Sequence, residues 1–82
     1  METIKENKTP KIYIADNTED NSIVDYFKRS ENFEFVGASS DGAKVVDDVL
    51  SLKPDVLVLE VMLSNLDGFA VLDKIKVLKD KM

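Results

Sequence analysis

The stretch that decides the fold is PDVLVLEVMLSNLDGF, residues 54–69. It contains four consecutive apolar residues, 56–59, then a single carboxylate at Glu60, and it ends in the pair Asp67-Gly68. An apolar run without alternation is typical of a parallel strand that is buried on both faces. We therefore predict a central strand that carries Glu60 at its carboxyl end.

Strand-like and helix-like segments alternate along the rest of the chain. Short β-branched and aromatic runs predict strands at 11–16 and 33–39. Apolar residues at helical spacing predict a helix after each strand, at 18–29, 41–52 and 67–79. Strands that alternate with helices indicate right-handed crossovers, and hence one α/β domain with a doubly wound parallel sheet.

The same patterns predict helix ends and core positions. Thr18 is expected to cap the first helix, with Glu19 and Asp20 at its positive end, and Pro54 to end the second helix at Lys53. Asp67 is expected to cap the third helix, while Gly68 permits a close approach of the backbone. The residues expected to face the core are Tyr13, Ile23, Val24, Phe27, Phe33, Phe35, Ala43, Val46, Val49, Leu50, Phe69, Val71, Leu72, Ile75 and Leu78.

Composition excludes several classes of protein. The chain has 82 residues, no cysteine and no histidine, so it has no disulfide, no Cys/His zinc site and no histidine base. A net charge of −5 disfavours nucleic-acid binding, and no apolar run approaches the roughly 20 residues that span a bilayer. Residues 1–9 are polar and are predicted to form a flexible arm before a domain at 10–82. Without a signal peptide, we expect a cytoplasmic location.

Polar residues follow the first and third predicted strands. If these strands are neighbours, in the order 2-1-3, Asp16, Asn17 and Glu60 meet at the carboxyl edge of the sheet, where ligands of open α/β sheets bind. Two carboxylates and an amide are hard oxygen ligands that suit Mg²⁺. The alternative is that these residues are polar only because strands end at the surface.

Three segments, IADN, FVGASSDGAKVV and KPDVLVLEVMLSNLDGFAVL, closely resemble the receiver domains of two-component response regulators, with a flavodoxin-like fold. The resemblance runs from about residue 11 to residue 79, and among receiver domains the sequence is most similar to those of regulators that initiate sporulation. It implies a phosphorylation switch rather than an enzyme. A sensor kinase or phosphotransferase would donate a phosphoryl group at the Glu60 position. Mg²⁺ would be held by the acidic-pair positions Asp16 and Asn17, by Glu60 and by the main-chain carbonyl of Met62.

The chain departs from that family at four points. Glu60 stands where receivers have aspartate, and its longer side chain is expected to accept a phosphoryl group poorly. Its charge would then partly mimic the active state. The alternative is that the substitution simply abolishes the switch. Asn17 replaces an acid, which should weaken Mg²⁺ binding, and Ser64 replaces a loop proline, which should allow more motion. The sequence covers only the first three βα units, so we expect a partial receiver domain.

Two expectations about partners follow. A third strand without a fourth beside it is an open apolar edge, so we expect a homodimer formed by edge pairing or by element swapping, or contact with a full-length regulator. One alternative is an active receiver in which Glu60 does accept phosphate. A small flavodoxin-like nucleotide-binding protein is a weaker alternative, since ADNTED after the first strand contains no glycine.

Overall fold

The computed structural model describes residues 9–17 and 21–80, and the element order is the predicted β-α-β-α-β-α. The predicted N-terminal arm, apart from Thr9, and the first helix cap at Thr18, Glu19 and Asp20 lie outside the described residues. The strands are β1 (Lys11–Ala15), β2 (Glu34–Ser39) and β3 (Val56–Leu59), and the helices are α1 (Ser22–Arg29), α2 (Gly42–Leu52) and α3 (Gly68–Asp80).

The three strands form one parallel sheet in the order β2-β1-β3, as predicted. β1 is the central strand, and its residues 12–15 are fully buried. β3 lies at the edge of the sheet and its residues are only half-buried, as the predicted order 2-1-3 requires, although its apolar run without alternation is typical of a central strand. The apolar run of β3 therefore leaves one side of the strand without a partner among the described residues.

The pairing of β1 with β2 contains an irregularity. Ile12 is opposite Phe35, but Tyr13 is opposite Gly37, so β2 has one extra residue at this point. The Tyr13 ring lies against Gly37, where a Cβ atom would come within 3.0 Å of the ring atom Cε2. The glycine thus makes room on β2 for the aromatic ring on β1.

The main core lies between the sheet and the pair of helices α2 and α3. It consists of Tyr13, Ala15, Val45, Val46, Val71 and Ile75. Ile12 and Ile14 are buried as well, and they point to the opposite face of the sheet, because side chains alternate along a strand.

Several core predictions are wrong. Phe69 is 72% exposed, and Leu72, Leu78 and Ile23 are also exposed. In α2 the prediction included Ala43, which is exposed, and omitted Val45, which is fully buried. The apolar stripe of an amphipathic helix is about 100° wide or more. Periodicity alone therefore does not decide which residues near the edge of the stripe are buried.

The predicted start of the first helix is wrong, because α1 begins at Ser22 with Asn21 at its N-cap position and no side-chain cap bond. The predicted start of α3 and end of α2 agree with the structure. The Asp67 carboxylate accepts a hydrogen bond from the Ala70 N–H at 2.9 Å, so it caps α3. α2 ends at Leu52, and its C-cap residue Lys53 has the left-handed angles φ 50° and ψ 57°. A Cβ atom at Gly68 would lie 2.6 Å from the Glu60 carbonyl oxygen, which confirms the close approach of the backbone there.

Candidate functional site

The carboxyl ends of β1 and β3 bring Asp16 and Glu60 side by side. The last paired residues of the two strands are Ala15 and Leu59, and the Glu60 N–H donates to the Ala15 carbonyl at 2.8 Å. On the other side, the Asp16 N–H donates to the carbonyl of Ser39 at 3.1 Å. The main chain thus fixes both candidate residues at one edge of the sheet.

The donor groups at this edge suit a hard cation in their chemistry. Glu60 and Asn17 are exposed and Asp16 is half-buried, so a hydrated ion could reach them. Mg²⁺ is commonly bound by one or two carboxylates and several waters, which matches Asp16 and Glu60. No group of three or more acidic residues is arranged around a metal position within the described residues. The roles of Asp16, Asn17, Glu60 and Met62 therefore stay predictions.

The loop between β3 and α3 is bonded to the start of α2. The Ser64 N–H donates to the Ser40 carbonyl at 3.0 Å, and the Gly42 N–H donates to the Ser64 carbonyl at 2.8 Å. A proline at position 64 would lack the N–H that makes the first of these bonds. The expected extra motion of this loop stays a prediction, but serine here supplies a contact that proline cannot.

A second link between the same segments runs through Asp41. Its carboxylate accepts from the Ala43 N–H at 2.9 Å and so caps α2. The Asn65 side chain beside the Asp41 carboxylate, together with the cap, lowers the pKa of Asp41 below its usual value. Asn65 has a φ of 68°, a left-handed conformation that asparagine tolerates better than most residues. The sequence analysis missed this link, because it joins two loops that are distant in sequence.

The core contains one polar connection that the sequence analysis also missed. The buried Tyr13 hydroxyl donates to the Asp48 carboxylate at 2.6 Å, and the Lys44 ammonium donates to the same oxygen at 2.8 Å. Burial, followed by the nearby Asp48, raises the pKa of Tyr13. Burial alone would raise the pKa of Asp48, but the bonds from Lys44 and Tyr13 outweigh it and lower that pKa. A tyrosine inside an apolar strand is itself a signal, because a buried hydroxyl needs a partner.

The order and direction of the strands define the fold class of the protein. Three parallel strands in the order 2-1-3, with three helices, match the (βα)3 portion of a flavodoxin-like receiver fold.

Comparison with solved structures agrees with this class. The chain is similar to the response regulator domain of Thermotoga maritima CheB, with a TM-score of 0.76 and 25% identity over 85% of this chain. It also shares the fold of a LuxR-family two-component response regulator from Aurantimonas sp. SI85-9A1, with a TM-score of 0.70 and 20% identity over 90% of this chain. It spans 54% of the length of each of these two structures.

A curated relative gives a compatible result. A protein-glutamate methylesterase/protein-glutamine glutaminase 1 from Methanospirillum hungatei JF-1 is 32% identical over 54 residues, which is 66% of this chain and 16% of that protein. No protein-family profile matches the chain. None of the helices in the described part of the chain is long and apolar enough to cross a membrane.

Proposed function

We propose that this chain is a receiver-type signal transduction domain of a two-component or phosphorelay system, one that is phosphorylated inefficiently and acts through protein–protein contacts. The observation that carries the proposal is the position of Glu60, directly beside Asp16 at the carboxyl edge of the sheet. The similarity to response regulator domains supports the same class of function.

The length of the Glu60 side chain is the reason to expect inefficient phosphorylation. Glutamate extends its carboxylate about 1.5 Å further than aspartate would, which is one C–C bond. Phosphoryl transfer depends on position, and an error of about 1 Å can lower the rate about a hundredfold. Mg²⁺ held by Asp16, Glu60 and the Met62 carbonyl would neutralise charge at this edge, and Asn17 would bind it more weakly than an acid.

Intact-mass measurement after incubation with acetyl phosphate and Mg²⁺ tests the proposal. In the reaction, a carboxylate oxygen attacks phosphorus, the bond from phosphorus to the acetate oxygen breaks, and acetate leaves. We expect little or no added phosphoryl mass on the unaltered chain, and a clear gain in Glu60→Asp. Asp67→Ala is the matched control, since Asp67 caps α3 and should not affect the reaction.

The same measurement distinguishes the proposed function from a second candidate, an active switch in which Glu60 accepts the phosphoryl group. Rapid phosphorylation of the unaltered chain that disappears in Glu60→Ala, but persists in Asp67→Ala, would establish that function instead. Absence of mass on both the unaltered chain and Glu60→Asp would count against a receiver-type site at this edge.

Exposed apolar side chains close to Glu60 support action through protein contacts. Val61, Met62 and Phe69 are 44%, 69% and 72% exposed. The proposed partners are a sensor kinase, a phosphotransferase or a full-length regulator, and control of sporulation stays a prediction. A pull-down with the unaltered chain should recover one of these protein classes, whereas recovery of none would contradict the proposed partners.

The open edge of β3 supports a second proposed partner, another copy of this chain. Its four apolar residues have free backbone groups on one side among the described residues, which favours pairing with a strand from outside. We propose a homodimer formed through this edge or by element swapping.

A further inference from the structure

We infer that the turn between β2 and α2, residues 39–42, positions both sides of the candidate site, and that Gly42 is the residue whose size permits this. On one side the turn holds the main chain of Asp16, and on the other side it holds the loop that carries the Met62 carbonyl. The magnesium readout of this inference rests on the proposed function, whereas the structural readout does not.

The Asp16 side of the turn is held at Ser39. The Ser39 carbonyl accepts a hydrogen bond from the Asp16 N–H at 3.1 Å, and its side-chain Oγ accepts one from the Asp41 N–H at 3.1 Å. Asp41 caps α2 through the Ala43 N–H, and its carbonyl accepts from the N–H of Val45, a fully buried residue. The main chain of Asp16 is therefore tied to a helix that is anchored in the core.

The other side of the turn is paired with the β3–α3 loop. The Ser64 N–H donates to the Ser40 carbonyl at 3.0 Å, and the Ser64 carbonyl accepts from the Gly42 N–H at 2.8 Å. These two bonds place Asp41 opposite Ser64 in an isolated parallel bridge. The loop is thus held through both backbone groups of one residue.

Met62 lies between two bonded points of this loop. Before it, the Val61 carbonyl accepts from the Gly68 N–H at 2.7 Å, and after it comes Ser64 with its two bonds to the turn. With a fixed point on each side, the Met62 carbonyl can move only a short way unless one of these bonds lengthens or breaks. The bonds to the turn therefore set where this carbonyl stands relative to Asp16.

Gly42 is at a position where a side chain has no room. A Cβ atom there would overlap the Leu66 carbonyl oxygen and would lie 2.7 Å from the Leu66 Cβ, and both atoms belong to the β3–α3 loop. The backbone of Gly42 has no positive φ, so the position needs glycine for space and not for conformational freedom. An alanine would have to push the loop away from the turn, although alanine favours a helix more than glycine does.

Amide hydrogen exchange of the unaltered chain and of Gly42→Ala tests the inference. We expect the protection of the Ser64 amide to fall roughly tenfold or more, because the loop moves away from the Ser40 carbonyl. The Lys53 amide, which donates to the Val49 carbonyl at the far end of α2, should keep its protection. An equal loss at Ser64 and Lys53 would overturn the inference, because it would show only global destabilisation.

Gly37→Ala is the matched control. It makes the same chemical change in β2, where the new Cβ would meet the Tyr13 ring instead of the loop. It should lower the protection of Ser64 no more than that of Lys53. An equal selective loss at Ser64 in both alanine variants would overturn the inference, because the effect would then not depend on the contact at Gly42.

Ser39→Ala keeps the test available if Gly42→Ala does not fold. It adds no larger group and removes the hydroxyl that accepts from the Asp41 N–H. We expect a roughly threefold loss of protection at the Asp16 and Ser64 amides, on the two sides of the turn, and none at the far end of α2. Absence of a selective loss at Ser64 in a folded Gly42→Ala, or in Ser39→Ala if the former is unfolded, would overturn the inference.

Titration with Mg²⁺, followed by the chemical shift of the Leu63 amide, extends the test to the site, since this amide shares a peptide group with the Met62 carbonyl. We expect Gly42→Ala to bind Mg²⁺ roughly three- to tenfold more weakly than the unaltered chain and Gly37→Ala to bind it equally well, because groups behind a ligand tune its affinity. Equal affinity in Gly42→Ala and the unaltered chain would overturn the positioning role. If the unaltered chain binds no Mg²⁺, the metal part of the proposed function fails, and the exchange experiment then decides whether the turn holds the two sides together.

Discussion

Gly68 stands at a residue position where a side chain has no room. We predict that Gly68→Ala lowers the free energy of unfolding by about 2 kcal/mol, because the new Cβ would lie 2.6 Å from the Glu60 carbonyl oxygen and 2.9 Å from the Val61 Cα. Both neighbours are backbone atoms, which cannot turn away. Urea unfolding measures the change.

The expected loss of stability in Gly68→Ala is opposite to the usual effect of alanine in a helix. Alanine normally stabilises a helix relative to glycine by about 1 kcal/mol. Ser51→Ala, at an exposed position of α2, is the control and should be neutral or slightly stabilising. A stabilised Gly68→Ala would show that the β3–α3 loop can move away from α3.

Asp41 makes the stability of the chain depend on acidity. Its pKa is lowered in the folded state from the usual 3.8, first by Asn65 and then by the cap at the start of α2. The unfolded chain therefore binds more protons at low pH. The stabilisation by Asp41 is complete above its unfolded pKa and is lost as the pH falls below 3.8 through the folded pKa.

Asp41→Asn is the variant that isolates this contribution. Asparagine is also a good cap, so we expect similar stability at neutral pH and a smaller loss of stability between about pH 5 and pH 2. Thermal unfolding across this range measures the difference. Parallel curves for the two proteins would contradict the assignment, and Asp47→Asn, which changes an exposed carboxylate of α2, is the matched control.

At the scale of elements, the bond from Ser64 to Ser40 joins the β3–α3 loop to the start of α2. We predict that Ser64→Pro destabilises the chain by about 1 kcal/mol, because the Ser40 carbonyl loses its 3.0 Å donor. Ser64→Ala keeps the N–H and should behave like the unaltered chain. Chemical denaturation compares the three, and a stabilised Ser64→Pro would mean that loop stiffness outweighs the bond.

The elements and their order were predictable because they depend on local patterns. Alternation of strands and helices, the stop at Lys53 and the Asp67 cap are all encoded within a few residues, and the structure confirms them. The order 2-1-3 is also confirmed. The exposure of Phe69 was not predictable, because it depends on which elements lie against the first turn of α3 rather than on the helix itself.

The candidate site was predictable only in part. That Asp16 and Glu60 follow neighbouring strands comes from the topology, and the register bears it out. The contacts that the sequence did not reveal join residues distant in sequence, such as Tyr13 with Asp48 and Asn65 with Asp41. Such pairs depend on how α2 lies on the sheet, which no local pattern specifies.

At the scale of the whole molecule, the unpaired side of β3 should govern self-association. We predict a dimer at micromolar concentration, measured by light scattering and sedimentation, since an apolar edge strand favours pairing. Val56→Lys places a charge on β3 and should weaken the dimer at least tenfold. Glu34→Lys, on the opposite edge strand β2, should not.

Circular dichroism must show that both lysine variants remain folded. A monomer that unfolds cooperatively at micromolar concentration would contradict the dimer. Equal weakening by both substitutions would place the contact elsewhere than on the β3 edge.

The extra residue in β2 has a consequence for related sequences. Because it sets Gly37 opposite Tyr13, the size of residue 37 and the size of residue 13 must change together. A relative with a larger residue in place of Gly37 would place a side chain against the aromatic ring. We expect such a relative to carry a small aliphatic residue in place of Tyr13, so that the two substitutions are inherited as a pair.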